Sequence, residues 1–67
     1  MRHTYRDRNG LLLGWSERNG DRLTGRNRNG RLVGWYEISR DETRDRDGRL
    51  VGHGNLLAGL IAAADQG

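Results

Sequence analysis

The sequence predicts a mainly β protein, an antiparallel meander of about six short strands joined by Asn-Gly and Asp-Gly type I′ turns, plus one C-terminal helix. Three observations predict it. First, Asn9-Gly10, Asn19-Gly20 and Asn29-Gly30 recur at ten-residue intervals, and Asp47-Gly48 follows them. These dipeptides tolerate the positive φ that a type I′ hairpin turn needs at both central residues. Second, a longer unit recurs around three of the turns. Arg6-Asp7-Arg8-Asn9-Gly10-Leu11-Leu12-Leu13-Gly14-Trp15 returns as Arg26-Asn27-Arg28-Asn29-Gly30-Arg31-Leu32-Val33-Gly34-Trp35, and again as Arg44-Asp45-Arg46-Asp47-Gly48-Arg49-Leu50-Val51-Gly52-His53. Third, the residues after Asn55 change character to an uncharged Leu/Ala run that lasts to Ala64.

Two-residue turns fix the strand register. They set Thr4, Trp15, Thr24 and Trp35 in one cross-strand row and Tyr5, Gly14, Gly25 and Gly34 in the next. In the third unit Asp45 is expected opposite Leu50, Arg44 opposite Val51, and Glu42 near His53. Ser39-Arg40-Asp41-Glu42 is the expected loop ahead of it. Asn55 is placed to cap a helix over 56–64 that ends near Asp65 and Gly67. Residues 1–54 thus form the hairpin sheet and 55–67 the helix of one domain.

Because side chains alternate across a sheet, the rows assign two faces. One carries Gly14, Gly25 and Gly34, extended by Gly52, together with Leu12, Leu32, Leu50, Leu23, Tyr5 and Tyr36. Glycine within a strand marks close approach of another element, so the helix is expected on this side. The other face gathers Arg6, Arg8, Arg26, Arg28, Arg31, Arg44, Arg46 and Arg49 among Trp15, Trp35, His53, Leu13, Val33 and Val51, bordered by Glu17, Glu37 and Glu42.

Composition narrows the function classes. The 67 residues contain no cysteine and no proline, and all twelve basic residues are Arg, for a net charge of +3. Neither a disulfide framework nor a Cys-ligated zinc site is available. The run from Leu56 to Ala64 is half of what a bilayer span needs, and Met1-Arg2-His3-Thr4 opens no signal peptide. The expectation is a cytoplasmic protein with no membrane partner. Asp45-Arg46-Asp47-Gly48 copies the start of a calcium loop without its ligand ladder, and His3 and His53 are isolated, so no metal site is expected. Ser16, Ser39 and Thr24 have no recognisable base, and the glycines come singly. No catalysis, cofactor or small-molecule substrate is expected.

Two roles fit what remains. One is a nucleic-acid-binding module, with Arg6, Arg8, Arg26, Arg28, Arg31, Arg44, Arg46 and Arg49 on phosphates and Trp15 and Trp35 stacking on bases. The other is a structural or protein-binding module with no nucleic-acid role. In either case the apolar side chains are few for the length, and the helix is apolar all round. A homo-oligomer is therefore expected, assembled through a strand edge or through Leu56, Leu57, Leu60, Ile61 and Ala64.

Tyr5-Arg6-Asp7-Arg8-Asn9-Gly10 and Gly48-Arg49-Leu50-Val51-Gly52 resemble the YD-type (RHS-like) hairpin repeats, which carry a Tyr-x-Asp-x-x-Gly-Arg-Leu core. Such repeats occur in large bacterial surface proteins and toxin shells, and similar short ones in small phage- and plasmid-borne proteins. The resemblance covers residues 4–53. Only the first unit keeps the Tyr, and Gly25 and Thr43 stand nearest to it later. It implies a structural β scaffold without a catalytic site and transfers no functional residue.

Overall fold

In the computed structural model, the described residues are 2–66, with side chains through Ala64. The expected helix end at Gly67 lies outside them. Six strands, β1 (Arg2–Arg6), β2 (Leu12–Asn19), β3 (Arg22–Asn27), β4 (Leu32–Glu37), β5 (Glu42–Asp45) and β6 (Leu50–His53), form one antiparallel sheet in chain order. The helix α1 (Leu57–Gln66) follows and packs across β2, β3 and β4. No helix among the described residues is long and apolar enough to cross a membrane.

Three of the turns differ from the expected two-residue hairpins, and the reason lies in the residue ahead of Arg8-Asn9-Gly10, Arg28-Asn29-Gly30 and Arg46-Asp47-Gly48. Asp7 Oδ1 accepts the amides of Asn9 (2.8 Å) and Leu11 (3.0 Å), while Gly10 N–H donates to the Asp7 carbonyl at 2.9 Å. Asn27 does the same for Asn29, Arg31 and Gly30, and Asp45 for Asp47, Arg49 and Gly48. Positive φ falls on Gly10, Gly30 and Gly48, and among non-glycine residues only on Asp41. This is the three-residue loop made of a type I turn and a left-handed glycine. Asn9, Asn29 and Asp47 therefore do not supply the second positive φ of a type I′ turn. In each unit the arginine ahead of the loop also donates from Nη1 to the glycine carbonyl: Arg6 to Gly10, Arg26 to Gly30, Arg44 to Gly48, at 3.0, 2.9 and 2.9 Å.

The longer loops leave a bulge in each hairpin. Tyr5 pairs Gly14 but Arg6 pairs Leu12; Gly25 pairs Gly34 but Arg26 pairs Leu32; Thr43 pairs Gly52 but Arg44 pairs Leu50. Leu13, Val33 and Val51 are the extra residues. The bulge moves Val33 off the arginine face assigned to it, for its Cγ2 lies 3.4 Å from where a Gly25 side chain would stand, under the helix. The β2–β3 turn is Gly20-Asp21 rather than Asn19-Gly20, so Trp15 faces Arg26 and Glu17 faces Thr24. That shift is two residues, which preserves which side chains share a face. Between β4 and β5 the loop is 38–41, and Glu42 belongs to β5 opposite Glu37.

The glycines receive the helix as expected. Leu57 lies over Gly25, Ile61 over Gly14, Leu60 over Gly34, and Leu56 over Gly52. Leu57 and Ile61 are fully buried. Leu56, Leu57, Leu60 and Ile61, expected at an oligomer interface, are thus turned onto their own sheet, and Ala64 lines a groove beside it. The outer side of α1 exposes Ala58, Gly59 and Ala63 instead.

Two polar groups start the helix. Asn55 Oδ1 accepts the Leu57 amide at 3.1 Å, the expected cap. Thr43, fully buried in β5, donates its hydroxyl to the Gly54 carbonyl at 2.6 Å and accepts the Leu56 amide at 3.0 Å. The chain is thereby pinned to the sheet where it leaves β6.

Any side chain on Gly14 would meet the Arg26 carbonyl and the Ile61 methyl. Gly14→Ala is expected to lose about 1–3 kcal/mol of stability by overpacking. Gly59, with open space around it in the exposed helix surface, should gain roughly 0.5–1 kcal/mol as Ala. Urea denaturation of both variants checks the pair.

Candidate functional site

The face opposite the helix is built from two copies of one arrangement. In the first, the Trp15 indole N–H donates to Glu17 Oε1 at 2.8 Å, and Arg26 Nε on the next strand lies 3.4 Å from the same oxygen. The Arg2 guanidinium stands 4.6 Å over the Trp15 ring from β1. The far edge of that ring reaches to within 3.7 Å of where a Gly30 side chain would stand, at the β3–β4 tip. In the second copy Trp35 donates to Glu37 at 3.4 Å, Arg22 lies 4.7 Å over the Trp35 ring, and the ring edge reaches the Gly48 tip. Alternation along the strands explains both. Trp and Glu two residues apart share a face, and the antiparallel neighbour brings its arginine between them.

Charge is nearly closed on this face. Glu37 sits between Arg22 Nη2 at 3.6 Å and Arg44 Nε at 3.7 Å, and Arg44 also reaches Glu42 Oε1 at 3.2 Å. Glu37 and Glu42 are direct cross-strand partners, and the Arg44 guanidinium bridges the two like charges. Glu37 Oε2 is buried without a hydrogen bond, so its partner there is the ionic charge of Arg44. The Glu17 carboxyl is held below its ordinary value of 4.5, chiefly by the Trp15 indole. Partial burial opposes this, while Arg2 and Arg26 add to it.

The structure therefore divides the ten expected nucleic-acid contacts. Trp15, Trp35, Arg26 and Arg44 come together in the two copies above, and Arg6 is bonded to its own loop. Arg8, Arg28, Arg31, Arg46 and Arg49 stand exposed at the loop tips. Arg31 and Arg46 line an open groove of about 510 Å³ on the helix side, with Leu32, Val33, Leu60 and Ala64. That groove lies against α1, on the face opposite the tryptophans. His53 takes the tryptophan position in the third unit, opposite Glu42, and is exposed.

Sequence reasoning missed Arg2 and Arg22, the two residues that cover the indoles. A signal existed: each stands thirteen residues ahead of its tryptophan. It also missed the buried Thr43, which carries no periodic mark. Asp45, the candidate calcium-loop residue, spends its Oδ1 on the amides of Asp47 and Arg49. Comparison of the chain with known protein families, with curated protein sequences and with solved structures finds no match.

Protonating Glu17 takes away the negative charge that strengthens the bond from the Trp15 indole. Because its folded pKa is lowered, the stability it adds is present above 4.5 and lost as pH falls through the folded value. With Trp35→Phe leaving Trp15 as the single tryptophan, the expected change in tryptophan emission on acidification has its midpoint below 4.5. A Glu17→Gln background should abolish that inflection.

Proposed function

We propose that this chain is a non-enzymatic β scaffold that works through contact with protein, its own copies included, rather than through nucleic acid. One observation carries the reading: the aromatic platform is already occupied. Each indole has Arg on its face, Glu on its N–H and a loop glycine at its edge. Base stacking requires a free ring face and mobile cations beside it. Arg26 and Arg44 are instead held by Glu17, Glu37 and Glu42. The resemblance to YD-type scaffold repeats points the same way and rests on the quoted residues.

For self-association the support moves to a strand edge. Leu57 and Ile61 are enclosed by their own sheet, whereas Leu50, Val51 and Leu56 are 49, 43 and 39% exposed along or beside the outer strand β6. An outer strand with apolar side chains is a template for pairing. A specific observation keeps the nucleic-acid reading as second: Arg8, Arg31, Arg46 and Arg49 project from the loop tips, where phosphate contact needs no base platform.

Titration with single- and double-stranded DNA at low salt separates the two, read by anisotropy of labelled DNA and by Trp emission. The scaffold reading expects no saturable binding. Binding that weakens steeply with salt and falls with Arg46→Ala and Arg49→Ala would replace it with the second reading. Light scattering should find the native chain larger than a monomer at micromolar concentration and Val51→Lys shifted toward monomer. A stable native monomer would remove the self-association part.

A further inference from the structure

The chain contains the same tripeptide three times: Arg8-Asn9-Gly10, Arg18-Asn19-Gly20 and Arg28-Asn29-Gly30. Asparagine before glycine is open to spontaneous deamidation. The glycine main-chain nitrogen loses its proton to hydroxide and attacks Cγ of the preceding side chain. A nitrogen–carbon bond closes a five-membered succinimide, and the amide nitrogen leaves as ammonia. Water then opens the ring at either carbonyl, giving aspartate or isoaspartate. Neighbouring residues set the intrinsic rate, and here the residue before and the residue after each asparagine are identical. All three asparagines are exposed. Any difference between them must come from the fold.

The fold does treat them differently. Gly10 N–H donates to the Asp7 carbonyl and Gly30 N–H to the Asn27 carbonyl, each at 2.9 Å. Bonding of the neutral N–H disfavours the deprotonated nitrogen that must attack. Asn9 and Asn29 are held further by their own amides, which donate to Asp7 Oδ1 at 2.8 Å and Asn27 Oδ1 at 2.9 Å. The β2–β3 turn places Gly20 one position earlier, at its first corner with φ 64°. There its N–H has no hydrogen-bond acceptor among the described residues. The Asn19 side chain is restrained by one long bond, Nδ2 to Thr24 Oγ1 at 3.3 Å.

We infer that Asn19 is the deamidation site of the folded protein and that the capped loops protect Asn9 and Asn29. Isoaspartate at position 19 would add a main-chain carbon at the corner where Asn19 pairs with Arg22. The neighbouring Asp21 holds the β4–β5 loop there, through the amides of Ile38 and Ser39. Deamidation thus strikes a turn that also braces the β4–β5 loop.

The test follows the amide signals of Gly10, Gly20 and Gly30 in the 15N-labelled chain during incubation at mildly alkaline pH, with mass spectrometry to confirm the products. In denaturant the three should decay together. In the folded protein Gly20 should decay about three- to tenfold faster than the other two, the factor set by freeing one hydrogen-bonded amide. Asp7→Ala removes the Oδ1 bonds to the Asn9 and Leu11 amides but keeps the carbonyl that Gly10 N–H meets, so it should speed Asn9 only part of the way to Asn19 and leave Asn29 slow. Equal rates in the folded chain, or Asn9 or Asn29 leading, would overturn the inference. Neither result depends on whether the chain binds protein or nucleic acid.

Discussion

Close approach of the helix to three glycines is the constraint on which the rest of this fold depends. A six-stranded sheet of four- to eight-residue strands has little to bury on its own. The helix supplies Leu57 and Ile61, the two fully buried apolar side chains among the described residues. They reach the sheet because Gly25 and Gly14 offer backbone where a side chain would otherwise stand. Gly34 gives the same access to Leu60. With any larger residue at these points the helix would ride higher and the two leucines and the isoleucine would lose their partners. The glycines are therefore the floor of the core: the sequence repeat supplies Gly14 on β2 and Gly34 on β4, and Gly25 stands on β3 between them.

The opposite face solves a different problem with the same repeat. It has no second layer above it, so its aromatic rings must be covered from within the plane. Arginine does this from both sides: Arg2 and Arg22 lie on the rings, and Arg26 and Arg44 tie the neighbouring carboxylates. Individually such half-exposed ion pairs contribute little. Their effect is geometric. Each tryptophan is fixed across two strands and held against the next loop, so one repeat orders its successor.

The fold class, the strand order and the helix-bearing face were legible because each rests on a short-range rule. Alternation put Gly14, Gly25 and Gly34 on one side, and a two-residue error in the β2–β3 turn left that assignment intact. The loops were misread because Asn-Gly is shared by two turn families, and the choice between them belongs to the carboxyl or amide of Asp7, Asn27 or Asp45, two residues upstream. The bulges followed from that choice, and with them the placement of Val33. The candidate site was legible as a composition but not as an arrangement. Arg2 and Arg22 lie on the indoles from strand positions, whereas Arg31 and Arg46 leave the sheet at the tips, where alternation no longer applies.

Thr43 ties together parts of the molecule whose contacts differ in sequence range. Every strand pair here joins neighbours in the chain, so the meander can zip from turn to turn with short loops to close. The helix is the exception, since it returns from beyond β6 to lie over β2, β3 and β4. Its point of departure is fixed by a hydroxyl on β5 that grips Gly54 and Leu56. The long-range docking of the helix thus relies on the last hairpin being in register. A sheet with that hairpin misaligned would keep its glycine floor open to water, and the chain would be folded along its length without yet having an inside.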